Sequence, residues 1–448
     1  MNNIPFPSRR PTAGTVPALL AALAVLPWTP TVRAADPESL LLSNAIVHVV
    51  TGAPLPGGMV WIRDGKIQAV GTHVEASGAT LVDLGGRHLY PGLISLDSAL
   101  GLEEIESVRA TLDTTEVGEF HPEVESWIAV NPDSELIPVT RANGITHAEP
   151  APQGGTIAGL SGVVAFDGWT MEQMTIKKPA ALHVYWPSMS LDVTPRERMR
   201  PPTPGGGRSS DEQARERVAR VKAFDDFFQE ARAYAKGRAA GKAGVNPPWE
   251  AMLPVVRGQI PIMVHADDTR QIKSAIKWAQ TNDCKIIIVG GQDAWEVAPL
   301  LAERQVPVIY EGVFTVPGQE QRGYDVNFKA PEVLRAAGVK VAFSVGASGM
   351  GASFARNLPY EAAQAVAFGL PESDALKGIT LYPAQILGLG DRLGSIEAGK
   401  EASLFVADGN IFDIRSNVKK MWIAGREVDL ASRHTRLFHK YKNRPLPQ

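Results

Sequence analysis

His265 closes the apolar run IPIMVHA and is followed by Asp267 and Asp268, so an imidazole and two carboxylates share the end of one strand-like segment. Asp97 sits in a second such run, LISLDSALGL, with Glu103 and Glu104 a few residues on, and Glu311 directly follows VPVIY. Nitrogen and oxygen ligands delivered from neighbouring loops can hold a divalent cation, and the same groups can serve as an acid and base pair. Tyr185 and Trp186 end a third run, ALHVYW, within the segment HVYWPSM. Their aromatic surface either lines a pocket for an apolar or aromatic ligand or packs against a neighbouring helix.

Each of these residues also has a purely structural role open to it. Asp268 can cap the helix that begins at Thr269, Glu103 and Glu104 can be solvated loop charges, and His265 can be satisfied by hydrogen bonds alone. Ser348 lies in GASGMG, which lacks the glycine two residues after the serine that a nucleophile elbow requires, so it stands only as a pocket candidate. Ser274 and Lys277 have serine-x-x-lysine spacing, but within a helical pattern that exposes Lys277. Cys284 is the chain's one cysteine, which excludes an intramolecular disulfide and any multi-cysteine metal site.

The elements that must position these groups alternate between short apolar strands and helical stretches, the βαβ signature. Strands are expected at HLYPGLISL, GITHAEPA, ALHVYW, IPIMVHA, KIIIVGG, VPVIYEG and VKVAFSVG. Helices are expected at 268–281, 294–304, 331–337 and 359–368. Seven strand signals point to an α/β fold of the TIM-like (β/α)8 type with one strand hidden, and such a barrel gathers its reactive groups at the strands' C-terminal ends. Before the barrel, residues 40–84 read as a small antiparallel sheet with Asp64-Gly65 as a hairpin turn. A similar texture near the other end completes one composite β-sandwich built from both chain ends. The expected layout is therefore 35–88 and 387–430 for the two sandwich parts, 89–386 for the barrel and 431–448 for a C-terminal tail. An insertion at about 195–250 begins with PPTPGGGRSS and continues as a helix with Val218, Val221, Phe224, Phe228, Ala231 and Ala235 on one stripe. That stripe packs the helix on the barrel's outer or upper face, the alternative being a lid or a partner-binding helix.

Composition narrows the function. The 448 residues are 44% hydrophobic and 21% charged, enough to bury a large core, and the formal net charge is −3. No basic cluster of the kind nucleic-acid binding needs is present. Arg9 and Arg10 precede the apolar run 16–28, and Val32-Arg33-Ala34 follows it, the pattern of a cleaved export signal over residues 1–34. A periplasmic or otherwise exported protein without membrane attachment after cleavage is expected.

The motifs YPGLI (90–94), DGKIQAVG, NGITHAEPAPQGGTIAGLSGVVAFDGWTMEQM, RNLPYEAA and ALKGITLYPAQILGLGDRLGSIEAGKEASLFVADGN together resemble the metal-dependent amidohydrolase superfamily, in its exported, imidazolonepropionase-like branch. The resemblance implies a barrel capped by a small β-sandwich, hydrolysis of carbon–nitrogen bonds other than peptide bonds, a small-molecule substrate and self-association. It also implies a His-x-His pair after Pro-Gly-Leu-Ile, a His on the fifth strand, a His on the sixth and an Asp on the eighth. Those positions here hold Asp97 and Ala99, His265, Gly290 and Gly346, so only His265 keeps the family's residue. Asp97 and His265 make two ligands where a catalytic zinc ordinarily has three from the protein. A zinc or other divalent cofactor is accordingly not expected. Two readings follow: a hydrolase working through unconventional groups drawn from Asp97, His265 and Asp268, with Glu104, Tyr185, Trp186, Glu311 and Ser348 around the pocket; or a pseudoenzyme that binds a ligand or an active relative. On these residues alone, binding without turnover ranks first.

Overall fold

The computed structural model describes residues 39–191, 209–317, 322–347 and 349–445; the expected export signal, the Pro/Gly-rich start of the insertion and Ser348 lie outside them. The strands are β1 (Ser39–Val47), β2 (Leu55–Arg63), β3 (Lys66–Gly71), β4 (Thr80–Asp83), β5 (His88–Pro91), β6 (Leu93–Ser98), β7 (Ile145–Pro150), β8 (Ile157–Ala165), β9 (Thr175–Tyr185), β10 (Ile262–Ala266), β11 (Ile286–Gly290), β12 (Val308–Glu311), β13 (Val341–Ser344), β14 (Leu404–Ala407), β15 (Val418–Ile423) and β16 (Arg426–Glu427).

The two chain ends meet in one hydrogen-bonded sheet of order β16-β15-β14-β5-β1-β2-β3, with β4 added beside β1. The join is the antiparallel pairing of β5 with β14, from Leu404 opposite Pro91 to Ala407 opposite His88. Asp64 and Gly65 take the left-handed backbone their hairpin turn demands, with φ of 52° and 74°. A Cβ on Gly65 would lie 2.7 Å from the Ala424 carbonyl oxygen, so the turn between β15 and β16 rests on this hairpin only because glycine stands there.

The second sheet follows chain order from β6 to β13 and is nearly closed. Its seven parallel strands are the seven with apolar signals in the sequence. The hidden eighth is β8, which runs antiparallel to both β7 and β9. No crossover helix flanks it, and every residue of IAGLSGVVA is buried, so neither an alternating pattern nor a βα rhythm marks it. At the seam, the Ser344 hydroxyl on β13 donates to the Leu96 carbonyl on β6 at 2.7 Å. The barrel is filled by an inner layer including Leu96, Ala181, Met263, Val289, Ile309 and Ala342.

The insertion helix, Ser210–Ala239, opens with a capping box between Ser209 and Glu212. Phe224, Phe228 and Ala231 are buried, and Phe224 and Phe228 pack on Trp278 at ring separations of 4.6 and 5.0 Å. Trp278 belongs to the helix Thr269–Thr281, and its indole donates to Asp225 at 2.8 Å. The stripe therefore fastens the insertion to the barrel's outer helical layer, each buried phenylalanine contributing about 2 kcal/mol of transfer free energy. Val218, 68% exposed, lies beyond the contact.

Candidate metal centre at the barrel mouth

Strand alternation decides which side chains reach the barrel interior. On β9, His183 and Tyr185 point inward, whereas Trp186 turns outward and lies edge-on to Phe224 with 5.6 Å between ring centres. Trp186 thus leaves the pocket candidates and joins the packing under the insertion helix. On β10 and β12 the inward series end at His265 and Glu311, and on β7 at Glu149. Asp97 breaks the pattern. Ile94 and Leu96 fill the barrel interior, so Asp97 would face out; instead a register irregularity between Ser95 and Ser98 and a φ of 43° turn its carboxylate into the mouth.

Three ligand atoms converge as a result. His183 Nδ1 lies 3.0 Å from His265 Nε2, and Asp97 Oδ1 lies 3.9 Å from the first and 3.7 Å from the second. A point equidistant from all three is about 2.1 Å from each, the bond length of a zinc ion to nitrogen and oxygen ligands. Asp97 Oδ1 is buried and has no hydrogen-bond partner, the condition of an oxygen that faces a cation. His183 Nε2 is 2.7 Å from Glu149 Oε1, which fixes the proton on Nε2 and leaves the Nδ1 lone pair aimed at that point. The other Glu149 oxygen accepts the Asp97 backbone N–H at 2.9 Å, so one carboxylate positions both ligands. Tyr185 stacks on the His265 ring with 3.9 Å between centres and fixes its plane. The donor set fits a divalent cation. To the expected pair of Asp97 and His265 the fold adds a third candidate ligand, His183, which the sequence hides as one residue of an apolar strand.

Burial shapes the charges. It holds His265 down to about 4, with Asp97 pulling the other way, so this imidazole is neutral at pH 7. Burial also depresses His183, but Glu149 and Asp97 outweigh it and raise the net value. Asp97 is opposed by burial yet held below the usual carboxylate range by His265, Glu311 and His183. Glu311 goes the other way, pushed well up by burial and by the neighbouring Asp97 charge.

The glycines at the two missing ligand positions are not empty space. A Cβ on Gly290 would overlap Asp267 Oδ1, and one on Gly346 would come within 3.2 Å of Glu311 Oε2. Both glycines also have φ near +90°, at 88° and 87°, a conformation that excludes histidine and aspartate at little less than a few kcal/mol. Carboxylates on the preceding strands occupy the volume those side chains would fill.

The remaining candidates separate. Asp268 Oδ1 accepts from the backbone N–H of Arg270 and Gln271 and caps the helix Thr269–Thr281, so it is structural. Glu104 accepts from Asn131 at 3.1 Å in the long loop between β6 and β7. Ala99 is buried in a cluster with Ala151, Ala347 and Ala352. Lys277 is exposed, and Cys284 is half-buried with its thiol pushed up by burial.

The sequence model of the Amidohydrolase family matches residues 151–428, and the chain belongs to that family. The "Amidohydrolase tasK" of Hapsidospora irregularis is 24% identical over 438 residues, covering 86% of this chain and 42% of that protein. The chain thus spans less than half the length of this curated relative. Among solved structures, an amidohydrolase from Thermotoga maritima MSB8 is similar at 28% identity and a TM-score of 0.75, over 87% of this chain and 99% of that one. Molinate hydrolase shares the fold at 16% identity and a TM-score of 0.51, over 92% and 97% of the two chains.

Proposed function

We propose that this amidohydrolase is an active, single-cation hydrolase of carbon–nitrogen bonds other than peptide bonds, taking a small-molecule substrate at the barrel mouth. The observation that carries this reading is the meeting of His183 Nδ1, His265 Nε2 and Asp97 Oδ1 around one point, with Glu149 setting the histidine tautomer. Three protein ligands and an open side are what a catalytic zinc site requires. His183, His265 and Asp97 would hold the cation, which when bound would supply Lewis-acid chemistry, lowering the pKa of water and polarising the scissile carbonyl. The protein's own groups do the rest. Glu149 keeps His183 and Asp97 in register, Tyr185 holds the His265 plane, and Asp267, just past His265 and facing the Gly290 gap, is the carboxylate left to accept a proton.

The finer placement in the imidazolonepropionase-like branch rests on YPGLI and the motifs around it, and export rests on Arg9, Arg10 and the apolar run 16–28. No helix among the described residues is long and apolar enough to cross a membrane. A second reading, ligand binding without turnover, is favoured by the glycines at 290 and 346, which leave the site without the family's usual groups there.

Metal analysis of the purified chain after dialysis against metal-free buffer, with a screen of cyclic amides and dipeptides, decides between them. About one ion per chain is expected for a site of this kind, with hydrolysis lost in His183→Ala and His265→Ala. An ion content below about 0.2 per chain contradicts the metal-hydrolase reading. One ion with no turnover and a ligand-induced thermal shift supports the binding module.

A further inference from the structure

The helix Arg433–Lys442, in the tail expected at 431–448, opens with a capping box between Ser432 and Thr435, and none of its residues is buried. From 433 to 448 the sequence holds five Lys and Arg residues and no Asp or Glu. One of the five is neutralised: Arg436 pairs with Glu135 at 3.2 Å and fixes that side of the helix to the segment ahead of β7. Arg433, Lys440, Lys442 and Arg444 form no ion pair among the described residues. At about 100° per residue, Leu437, Tyr441 and Phe438 share one arc of the helix, and Arg436 lies roughly 140° round from Tyr441. The arc therefore faces away from the protein, with Leu437 39%, Tyr441 54% and Phe438 60% exposed. The ammonium groups of Lys440 and Lys442 stand 5.5 Å from the centres of the Tyr441 and Phe438 rings. Another exposed aromatic stands on the same side. Arg436 shares a groove of about 280 Å³ with Phe166, Asp167 and Gly168, and the next residue, Trp169, is 91% exposed at the tip between β8 and β9.

We propose that the helix Arg433–Lys442 is a docking surface for an anionic lipid bilayer. Its leucine, phenylalanine and tyrosine enter the headgroup boundary, and its unpaired cations lie on the lipid phosphates. Charge complementarity selects this occupant. A nucleic acid would answer the cations but offers no bed for outward-facing Leu437 and Phe438, whereas an anionic bilayer answers both. Trp169 extends the aromatic surface, as interfacial tryptophans do. The inference is independent of the cation at the barrel mouth. It sets surface attachment in place of the expected freedom from the membrane, and surface attachment needs no spanning helix.

The test is flotation of the full-length chain with vesicles of phosphatidylcholine alone and of phosphatidylcholine with phosphatidylglycerol at about three to one, in low and in high salt. Wild type is compared with the double variants Leu437→Ser/Phe438→Ser and Lys440→Gln/Lys442→Gln and with Trp169→Ser, and circular dichroism checks each fold. Wild type is expected to float with the phosphatidylglycerol vesicles, to stay behind with phosphatidylcholine alone, and to be released by high salt. Each double variant lowers the partition coefficient by at least about tenfold, and Trp169→Ser lowers it by a smaller factor. The apolar run 16–28 is common to every protein compared, so the differences read the helix and the Trp169 tip. Wild-type flotation of all three variants, equal flotation with both kinds of vesicle, or none with either overturns the proposal. A wild-type dimer that Leu437→Ser/Phe438→Ser turns into a monomer, without flotation, makes a second copy the occupant and overturns it too.

Discussion

The Nε2–H of His183 faces Glu149 Oε1 across 2.7 Å, and both side chains are fully buried. At a contact this deeply buried, Glu149 decides which imidazole nitrogen is free. It ties β9 to β7 across the intervening strand β8, so the one reversed strand of the barrel lies beneath the histidine it helps to place.

Glu149→Gln retains the shape but can present its amide N–H₂ to His183, which favours the wrong tautomer. Zn²⁺ affinity, read by calorimetry, is expected to fall about 10- to 100-fold. Equal affinity in this variant means that the Glu149 contact does not set the ligand.

Adjacent carboxylates are expected to behave oppositely. Asp268→Ala removes a helix cap and lowers stability by about 1 kcal/mol in urea unfolding, while Zn²⁺ binding is unaffected. Asp267→Asn leaves both stability and ion binding near wild type and lowers turnover by about 10²-fold or more, as loss of a general base does. Reversal of the two phenotypes refutes the division of roles.

Acid stability follows from two histidines outside the candidate metal centre, His147 buried and His48 half-buried. Burial lowers His48 to about 4, with His88 adding to the effect, and lowers His147 to about 3, with Arg392 adding. The unfolded chain takes up these protons first, so stability falls as pH drops below about 6.5, by roughly 2 kcal/mol per histidine at pH 5. Glu361 opposes this. Burial raises it to about 7, so the folded state holds its proton first and stability falls as pH rises from about 4.5 through 7. Urea unfolding between pH 7 and 5 should show a flatter acid loss in His147→Asn and a steeper one in Glu361→Gln. Parallel curves for all three proteins count against these assignments.

The insertion helix is expected to hold through its aromatic pair. Phe228→Ala costs about 3–5 kcal/mol by emptying the contact with Trp278, whereas Val218→Ser, on the exposed stretch of the same stripe, changes stability by less than about 0.5 kcal/mol. A thermal melt and limited proteolysis of the two variants check it; equal effects mean the stripe is not the fastening.

The sequence by itself determined the barrel, the sheet shared by the two chain ends and the family, because apolar runs of strand length, turn dipeptides and linear motifs are local properties. It also placed His265, Asp97 and Glu311 near one mouth, since strand ends converge in any such barrel. Tertiary structure decided the rest. Strand β8 is buried on both faces and carries no crossover helix, so nothing local marks its direction. Trp186 follows the alternation of β9 outward, and Asp97 defies the alternation of β6 through a single left-handed residue. His183 reads as one polar residue in a core strand until β9 is laid beside β10. In linear sequence the ligand positions at Gly290 and Gly346 are simply missing. Only the packed barrel shows Asp267 and Glu311 filling those gaps from the strands before, because a ligand set is a property of a point in space to which several strands have access.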